Sequence, residues 1–280
     1  MAASGLAGRE LFAASVTSEE QKKMKLGLVT YQWGRDWDVP TLITNCEKAL
    51  LSGIELRVEH AHGVTPELSA AERKAIAKRF ADSSVKLVGF GTTFEYHSPD
   101  PEILRKNIEG SKEYVRLAKD CGASGIKVRP NDLPKEVEQD KTIEQIARSI
   151  SEIGRYAADY GQEIRLEIHG GCTSIPVIKA IIDRAPEKNV GLCWNCNAPD
   201  LEGPGLRANF ESVKNRISGV IHIRDLASAS YPTRELFDLL SAMTYDGYLL
   251  IEEGDASLSS DERVRRLKQS AEILAKWQKA

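Results

Sequence analysis

Acids, imidazoles and amides recur along this chain in short clusters of a kind that can hold a cation and move a proton. One segment reads Ile164-Arg165-Leu166-Glu167-Ile168-His169, and strand alternation would turn Glu167 and His169 to the same side. A second, Leu249-Leu250-Ile251-Glu252-Glu253, offers one inward glutamate. Glu252 is the choice because it shares parity with Leu250. His222-Ile223-Arg224-Asp225 adds imidazole, guanidinium and carboxylate, and Cys193-Trp194-Asn195-Cys196-Asn197 projects Asn195 and Asn197 together. A buried carboxylate or imidazole without a partner is costly, so these groups must be paired or coordinating. Two glutamates, a histidine and an amide oxygen form a mixed N/O set suited to Mn²⁺, Mg²⁺, Co²⁺ or Zn²⁺. Two carboxylates that approach a substrate from different sides can take a proton from one face of a carbon and return it to the other. A cation would meanwhile polarise the adjacent carbonyl.

Such groups need a scaffold that gathers distant segments at one place. From Lys25 onward, short apolar runs alternate with longer amphipathic ones. The predicted strands are Leu26–Tyr31, Ile54–Val58, Lys86–Phe90, Gly125–Val128, Glu163–Ile168, Val190–Trp194, Val220–Ile223 and Tyr248–Ile251. Their near-continuous apolar character suits parallel strands covered by helices. They recur at roughly 27–40-residue intervals, as a βα unit plus its loops requires. Helix signals fill the gaps. Ser69-Ala70-Ala71-Glu72 is a capping box before a run ending near Asp82. Asp100-Pro101 opens a helix that Cys121-Gly122 closes, Thr142 to Tyr160 forms another before Gly161, and Ser259 caps a last one running to Trp277. Strict alternation with eight strands predicts an α/β fold, a single (β/α)₈ TIM barrel over residues 25–280. No G-x-G-x-x-G follows the first strand, which weighs against an open dinucleotide-binding sheet.

In such a barrel the chemistry sits where strands end and βα loops begin. All five histidines fall there: His60 and His62 after the second strand, His97 after the third, His169 after the fifth and His222 on the seventh. Lys127 and Arg129 share parity on the fourth strand and could neutralise a substrate carboxylate, phosphate or enediolate. An internal ion pair with Glu167 or Glu252 is the plainer alternative for both. Trp33, just past the first strand, could stack on a sugar face or simply roof the barrel. His97 could touch substrate or anchor its loop, and His60 and His62 could be solvated loop residues.

Composition narrows the classes. The chain has 280 residues, 41% hydrophobic and 28% charged, with a formal charge of −3. That balance carries no electrostatic footprint for nucleic acid or an anionic membrane. No apolar run approaches the ~20 residues of a membrane helix. Five scattered cysteines do not form a disulfide framework, and Cys193-x-x-Cys196 lacks a second pair for a zinc site, so packing is its expected role. Residues 1–24 are set apart from the fold, as a tail or as the remnant of an export signal. The expected location is cytoplasmic as written, or periplasmic if that stretch is a signal. A homo-oligomer is compatible with this reading.

Six segments together resemble the xylose-isomerase-like barrel superfamily, and within it the bacterial sugar phosphate isomerase/epimerase group. They are Gly53-Ile54-Glu55-Leu56-Arg57, Gly125-Ile126-Lys127-Val128-Arg129-Pro130, Leu166-Glu167-Ile168-His169-Gly170, Val190-Gly191-Leu192-Cys193-Trp194-Asn195, His222-Ile223-Arg224-Asp225 and Ile251-Glu252-Glu253-Gly254. The resemblance runs from about Lys25 to the C-terminus. It implies a metal held by Glu167, Asn195, His222 and Glu252, with the two glutamates as the acid/base pair. Asn195 departs from the pattern, standing where an Asp is usual, and Ala198 stands where a histidine is often found. Arg57, His97, Lys127, Arg129, His169, Asn197, Arg224 and Trp33, at or near the same strand ends, are the candidate substrate contacts.

The expected activity is a metal-assisted isomerase or epimerase acting on a sugar or keto-sugar by proton abstraction next to a carbonyl. A keto-sugar dehydratase or lyase would share that first step. An abasic-site endonuclease of the same superfamily needs further metal ligands and a basic surface. A non-catalytic carbohydrate-binding barrel would fit the Asn195 substitution. No glycine-rich strand-to-helix turn follows the seventh or eighth strand, which favours a free or oxidised sugar over a sugar phosphate.

Overall fold

The computed structural model describes residues 23–279. The stretch set apart as a tail or signal remnant lies outside the described residues up to residue 22. Met24 already packs into the core, and its carbonyl accepts from Gln278 Nε2 at 3.2 Å.

Eight parallel strands alternate with eight helices. The strands are β1 (Lys25–Val29), β2 (Gly53–Arg57), β3 (Lys86–Glu95), β4 (Gly125–Arg129), β5 (Glu163–Glu167), β6 (Val190–Cys193), β7 (Val220–Ile223) and β8 (Tyr248–Ile251). The helices are α1 (Val39–Lys48), α2 (Ala70–Ala81), α3 (Pro101–Cys121), α4 (Gln139–Ala158), α5 (Ile175–Asp183), α6 (Leu206–Val213), α7 (Thr233–Ala242) and α8 (Ser260–Trp277). Strand order is β6-β5-β4-β3-β2-β1-β8-β7. The two ends meet through isolated bridges, Leu192 with Ile217 and Asn195 with His222, which complete the ring. The architecture is the predicted (β/α)₈ barrel.

Local chemistry explains the boundaries. Ser69 and Glu72 form the reciprocal capping box of α2, and Asp100 caps α3 ahead of Pro101. Gly122 ends α3 in the left-handed region at φ 78°. Two expectations are corrected. Helix α4 starts at Gln139 rather than Thr142, because Glu138 makes no side-chain cap and so leaves no sequence signal. Strand β3 continues past the expected end at Phe90 to Glu95. Thr92 donates its hydroxyl to Lys127 O at 2.7 Å, which ties the extension to β4.

The large core lies between strands and helices. A second, smaller cluster of Val29, Val88, Cys193, Val220 and Leu250 fills the barrel axis. Below it Arg165, 1% exposed, reaches Glu163 Oε2 (2.7 Å), Ser124 Oγ (2.8 Å) and Val88 O (3.2 Å). This satisfied guanidinium closes the lower end and leaves the upper end for polar groups. Among the described residues no helix is long and apolar enough to cross a membrane.

Candidate active site

Side chains that share the parity of the axial cluster emerge at the upper mouth. Leu250 points into the axis, so Glu252, two residues on, follows it inward. Glu253 turns away and accepts the Asp225 backbone N–H at 2.7 Å. By the same alternation Glu167 ends β5 and His222 lies two residues beyond inward Val220.

These groups converge. His222 is fully buried, with Nδ1 3.3 Å from Glu167 Oε1 and 3.4 Å from Glu252 Oε2. Asn195 donates Nδ2–H to Glu167 Oε1 at 2.9 Å and lies 3.5 Å from Glu252 Oε2. Lys127 donates to Glu167 Oε2 at 2.6 Å, both side chains being at most 2% exposed. Glu252 is the most open of the set, with 13% of its side chain exposed. On the far side of the imidazole, Nε2–H donates to Glu55 Oε1 at 3.1 Å.

The charges shape one another. Burial alone would raise Glu167, but the Lys127 ammonium and His222 hold it well below the usual carboxylate range. Glu252 is likewise lowered, burial opposing and His222 prevailing. Burial works against a charged His222, yet Cys193, Glu55 and Glu252 around it hold its pKa well above the ordinary imidazole value.

Other candidates lie around this centre. His169 Nδ1–H donates to Asn131 Oδ1 at 2.7 Å, and burial lowers its pKa, leaving a neutral ring near Glu167. Arg224 donates to Glu252 O at 3.0 Å, so it holds the backbone rather than the carboxylate. Arg57 is half-buried, and its guanidinium has no hydrogen-bond or ion-pair partner among the described residues. Beside it, burial pushes His60 down to about 4. His62 anchors its loop, donating to Arg57 O (2.8 Å) and accepting from Val64 N (3.0 Å).

Arg129 and His97 sit apart on the rim, both against Glu95. Arg129 contacts Glu95 Oε1 at 2.6 Å, and His97 Nδ1 lies 3.9 Å from Glu95 Oε2. Asn197 staples backbone, donating to Ile168 O and Asn195 O at 2.8 and 2.9 Å. Trp33 is 1% exposed, and its ring packs under the Arg266 guanidinium at 5.3 Å. All five cysteines are free and buried, Cys193 and Cys196 included.

The donor set fits a divalent cation. Among the described residues, Glu167, His222 and Glu252 each offer a ligand atom, all within 4.8 Å of one another. His222 Nδ1 is buried without a hydrogen-bond partner and faces both carboxylates. Ligands ~2.1 Å from an octahedral ion lie ~3 Å apart, close to the spacing seen. Glu55 was missed in sequence because a lone acid on a short strand carries no sign of a partner. The repeated inward parity of Gly53, Glu55 and Arg57 was the available signal.

A sequence profile for the xylose isomerase-like TIM barrel matches residues 43–277. The chain belongs to the xylose isomerase-like TIM barrel family. No curated protein matches it in sequence. Solved structures of similar fold include an L-ribulose 3-epimerase, 15% identical with a TM-score of 0.75, covering 91% of this chain and 94% of that one. The IolI protein with a bound zinc atom is 17% identical, TM-score 0.74, with 91% and 99% covered. The 3-keto-D-glucoside 4-epimerase YcjR from E. coli is 15% identical, TM-score 0.72, with 91% and 100% covered. At these identities the likeness to this xylose isomerase-like barrel is one of fold.

Proposed function

We propose that the protein is a metal-assisted isomerase or epimerase that takes a proton from the carbon next to a carbonyl in a sugar or keto-sugar. The observation that carries this reading is the meeting of Glu167 from β5 and Glu252 beyond β8 at one buried imidazole nitrogen, 3.3 and 3.4 Å away. Similar folds solved for sugar epimerases, and for one protein with bound zinc, support it.

Glu167, His222 and Glu252 would hold the cation, with Asn195 beside them. When bound, the ion supplies Lewis-acid polarisation of the substrate carbonyl. The remaining work belongs to the chain. One glutamate accepts the proton from carbon and later passes it to solvent, while the other takes up a proton from solvent and delivers it to the same or the neighbouring carbon. Lys127 keeps Glu167 ionised, ready to accept. Its ammonium also favours the developing enediolate. Arg57, His169 and Arg224 ring the opening and are assigned to substrate hydroxyls or oxidised groups. Trp33, His97, Arg129 and Asn197 are assigned to shaping the mouth around the substrate.

The test is solvent-deuterium incorporation, followed by mass spectrometry, across ketoses, keto-glycosides and inososes with added Mn²⁺. Exchange at a carbon next to the carbonyl is the expected result. An unsaturated product would move the assignment to a lyase. Absence of exchange, together with cleavage of an abasic duplex, would replace the reading with a nuclease.

A further inference from the structure

Glu55 is an unusual residue to find on the axis of a barrel. It is fully buried, its Oε2 has no hydrogen-bond partner among the described residues, and its Oε1 accepts from His222 Nε2–H at 3.1 Å. Placing a carboxylate there is costly, and one hydrogen bond does not satisfy it. The backbone nonetheless makes room for it. The β2–β3 register shifts between Ile54 and Glu55, which re-aims the strand locally. On the neighbouring strand Gly91, the register partner of Arg57, leaves space as well: a Cβ there would sit 2.8 Å from Glu55 Oε1. Two local adjustments thus admit one poorly satisfied acid, and among the described residues its hydrogen-bond partner is His222.

The imidazole explains the arrangement. A ring nitrogen that donates to a carboxylate keeps its hydrogen, and the other nitrogen is then free to offer a lone pair. Here the donating atom is Nε2, so the nitrogen left to release its proton to solvent and offer a lone pair when a cation binds is Nδ1, which faces Glu167 and Glu252. We propose that Glu55 is the positioning residue of the site, fixing the ring angle and tautomer of His222 so that Nδ1 presents its lone pair to a divalent cation. This rests on the assignment of His222 as a ligand. Glu55 touches neither substrate nor cation, and Gly91 serves it by leaving space.

The experiment uses the full-length protein and Zn²⁺ as the probe. Zn²⁺ affinity is measured by competition with a chelator for the unmodified protein, Glu55→Gln, Glu55→Leu and Gly91→Ala. Glu55→Leu is expected to weaken binding about 10- to 100-fold, the usual effect of losing such a partner. Glu55→Gln, whose amide oxygen can still accept from Nε2–H, should lose markedly less. Gly91→Ala, which crowds Oε1 without removing it, should also weaken binding.

Melting of the metal-free proteins separates positioning from support. Glu55→Leu removes a poorly satisfied acid but strands the His222 Nε2–H, two opposed effects. It should therefore stay folded with a melting temperature close to the parent's while its Zn²⁺ affinity falls. A merely structural Glu55 would lower the melting temperature and leave Zn²⁺ affinity unchanged.

Nitrogen-15 NMR of the Zn²⁺-loaded unmodified protein supplies a readout that needs no variant. His222 should show a slowly exchanging Nε2–H and a metal-shifted Nδ1. A metal-bound Nε2 would overturn the proposal, as would parent-like Zn²⁺ affinity in folded Glu55→Leu or equal losses in the Gln and Leu variants. If the unmodified protein takes up no Zn²⁺, the metal-assisted reading falls with it. Unchanged affinity in the Leu variant sinks the positioning role alone.

Discussion

Asn195 and His222 face each other across the seam between β6 and β7, in one of the two bridges that complete the barrel. The His222 backbone N–H donates to Trp194 O at 2.8 Å there. The closing contact of the fold and the centre of the candidate site are therefore the same place. Asn195 donates to Glu167 and lies close to Glu252, so its amide relieves repulsion between two acids when no cation is present. Asn195→Asp would put a third carboxylate among them. The variant should melt lower than the parent without metal and bind Mn²⁺ several-fold more tightly, since ligand charge raises cation affinity. Melting curves with and without Mn²⁺ check both signs. A variant stabilised in the metal-free state would contradict this account of the amide.

Glu167→Gln and Glu252→Gln should each reduce deuterium exchange at carbon by at least about 10²–10⁴-fold, the usual contribution of a positioned acid or base. Circular dichroism should show both variants folded, because a glutamine fits the same volume and at position 167 its amide oxygen can still accept from Lys127, though that variant should melt lower than the parent. If both retain exchange, the proton is moved by other groups.

Lys127 and Glu167 form a buried ion pair at 2.6 Å. Removing one partner strands the other, so Lys127→Met should cost about 3–5 kcal/mol in unfolding free energy. The Asn195 and His222 contacts to the same carboxylate place the expectation toward the lower end of that range. Denaturant titration measures it. A neutral effect would show that the pair adds nothing to the fold.

Asp200 gives a pH signature. Burial raises its carboxyl from 3.8 to about 7, although the Asn197 N–H and the Tyr231 hydroxyl both donate to it. The folded state then holds a proton that the unfolded chain has already lost. Its contribution to stability therefore falls as pH rises through the interval between about 4 and 7. Asp200→Asn removes the titration. The stability difference should shift in favour of the variant by about 4 kcal/mol at most across that window, at ~1.4 kcal/mol per unit. Parallel curves for the two proteins would mean that Asp200 stays ionised.

Much of this molecule could be read from its residues. Near-continuous apolar runs marked the strands, and Ser69, Asp100, Gly122 and Ser259 marked helix ends. Parity with Leu250 selected Glu252 over Glu253, and every histidine fell at one face. What stayed hidden depends on distance along the chain. Glu55 and His222 are 167 residues apart, and no local pattern announces that pairing. The choice of Lys127 rather than Arg129 for Glu167 is likewise a matter of register, with Arg129 drawn away by Glu95 on a strand longer than its sequence suggested.

Arg263 of α8 grips the loop that follows β1. It holds both carboxylate oxygens of Asp36 at 2.6 and 2.8 Å, donates to Trp33 O at 3.0 Å and stacks over Trp37. Arg266, one turn on, covers Trp33 and pairs with Asp225 beyond β7. The loop after β1 is thus fastened by a residue made 227 positions later. During synthesis the rim beside β1 has only its backbone tie from Ala61 N to Arg35 O at 2.9 Å until α8 has emerged. A nascent chain halted before α8 would carry that loop without its side-chain clasp, and the mouth takes its outline beside β1 only once α8 has docked.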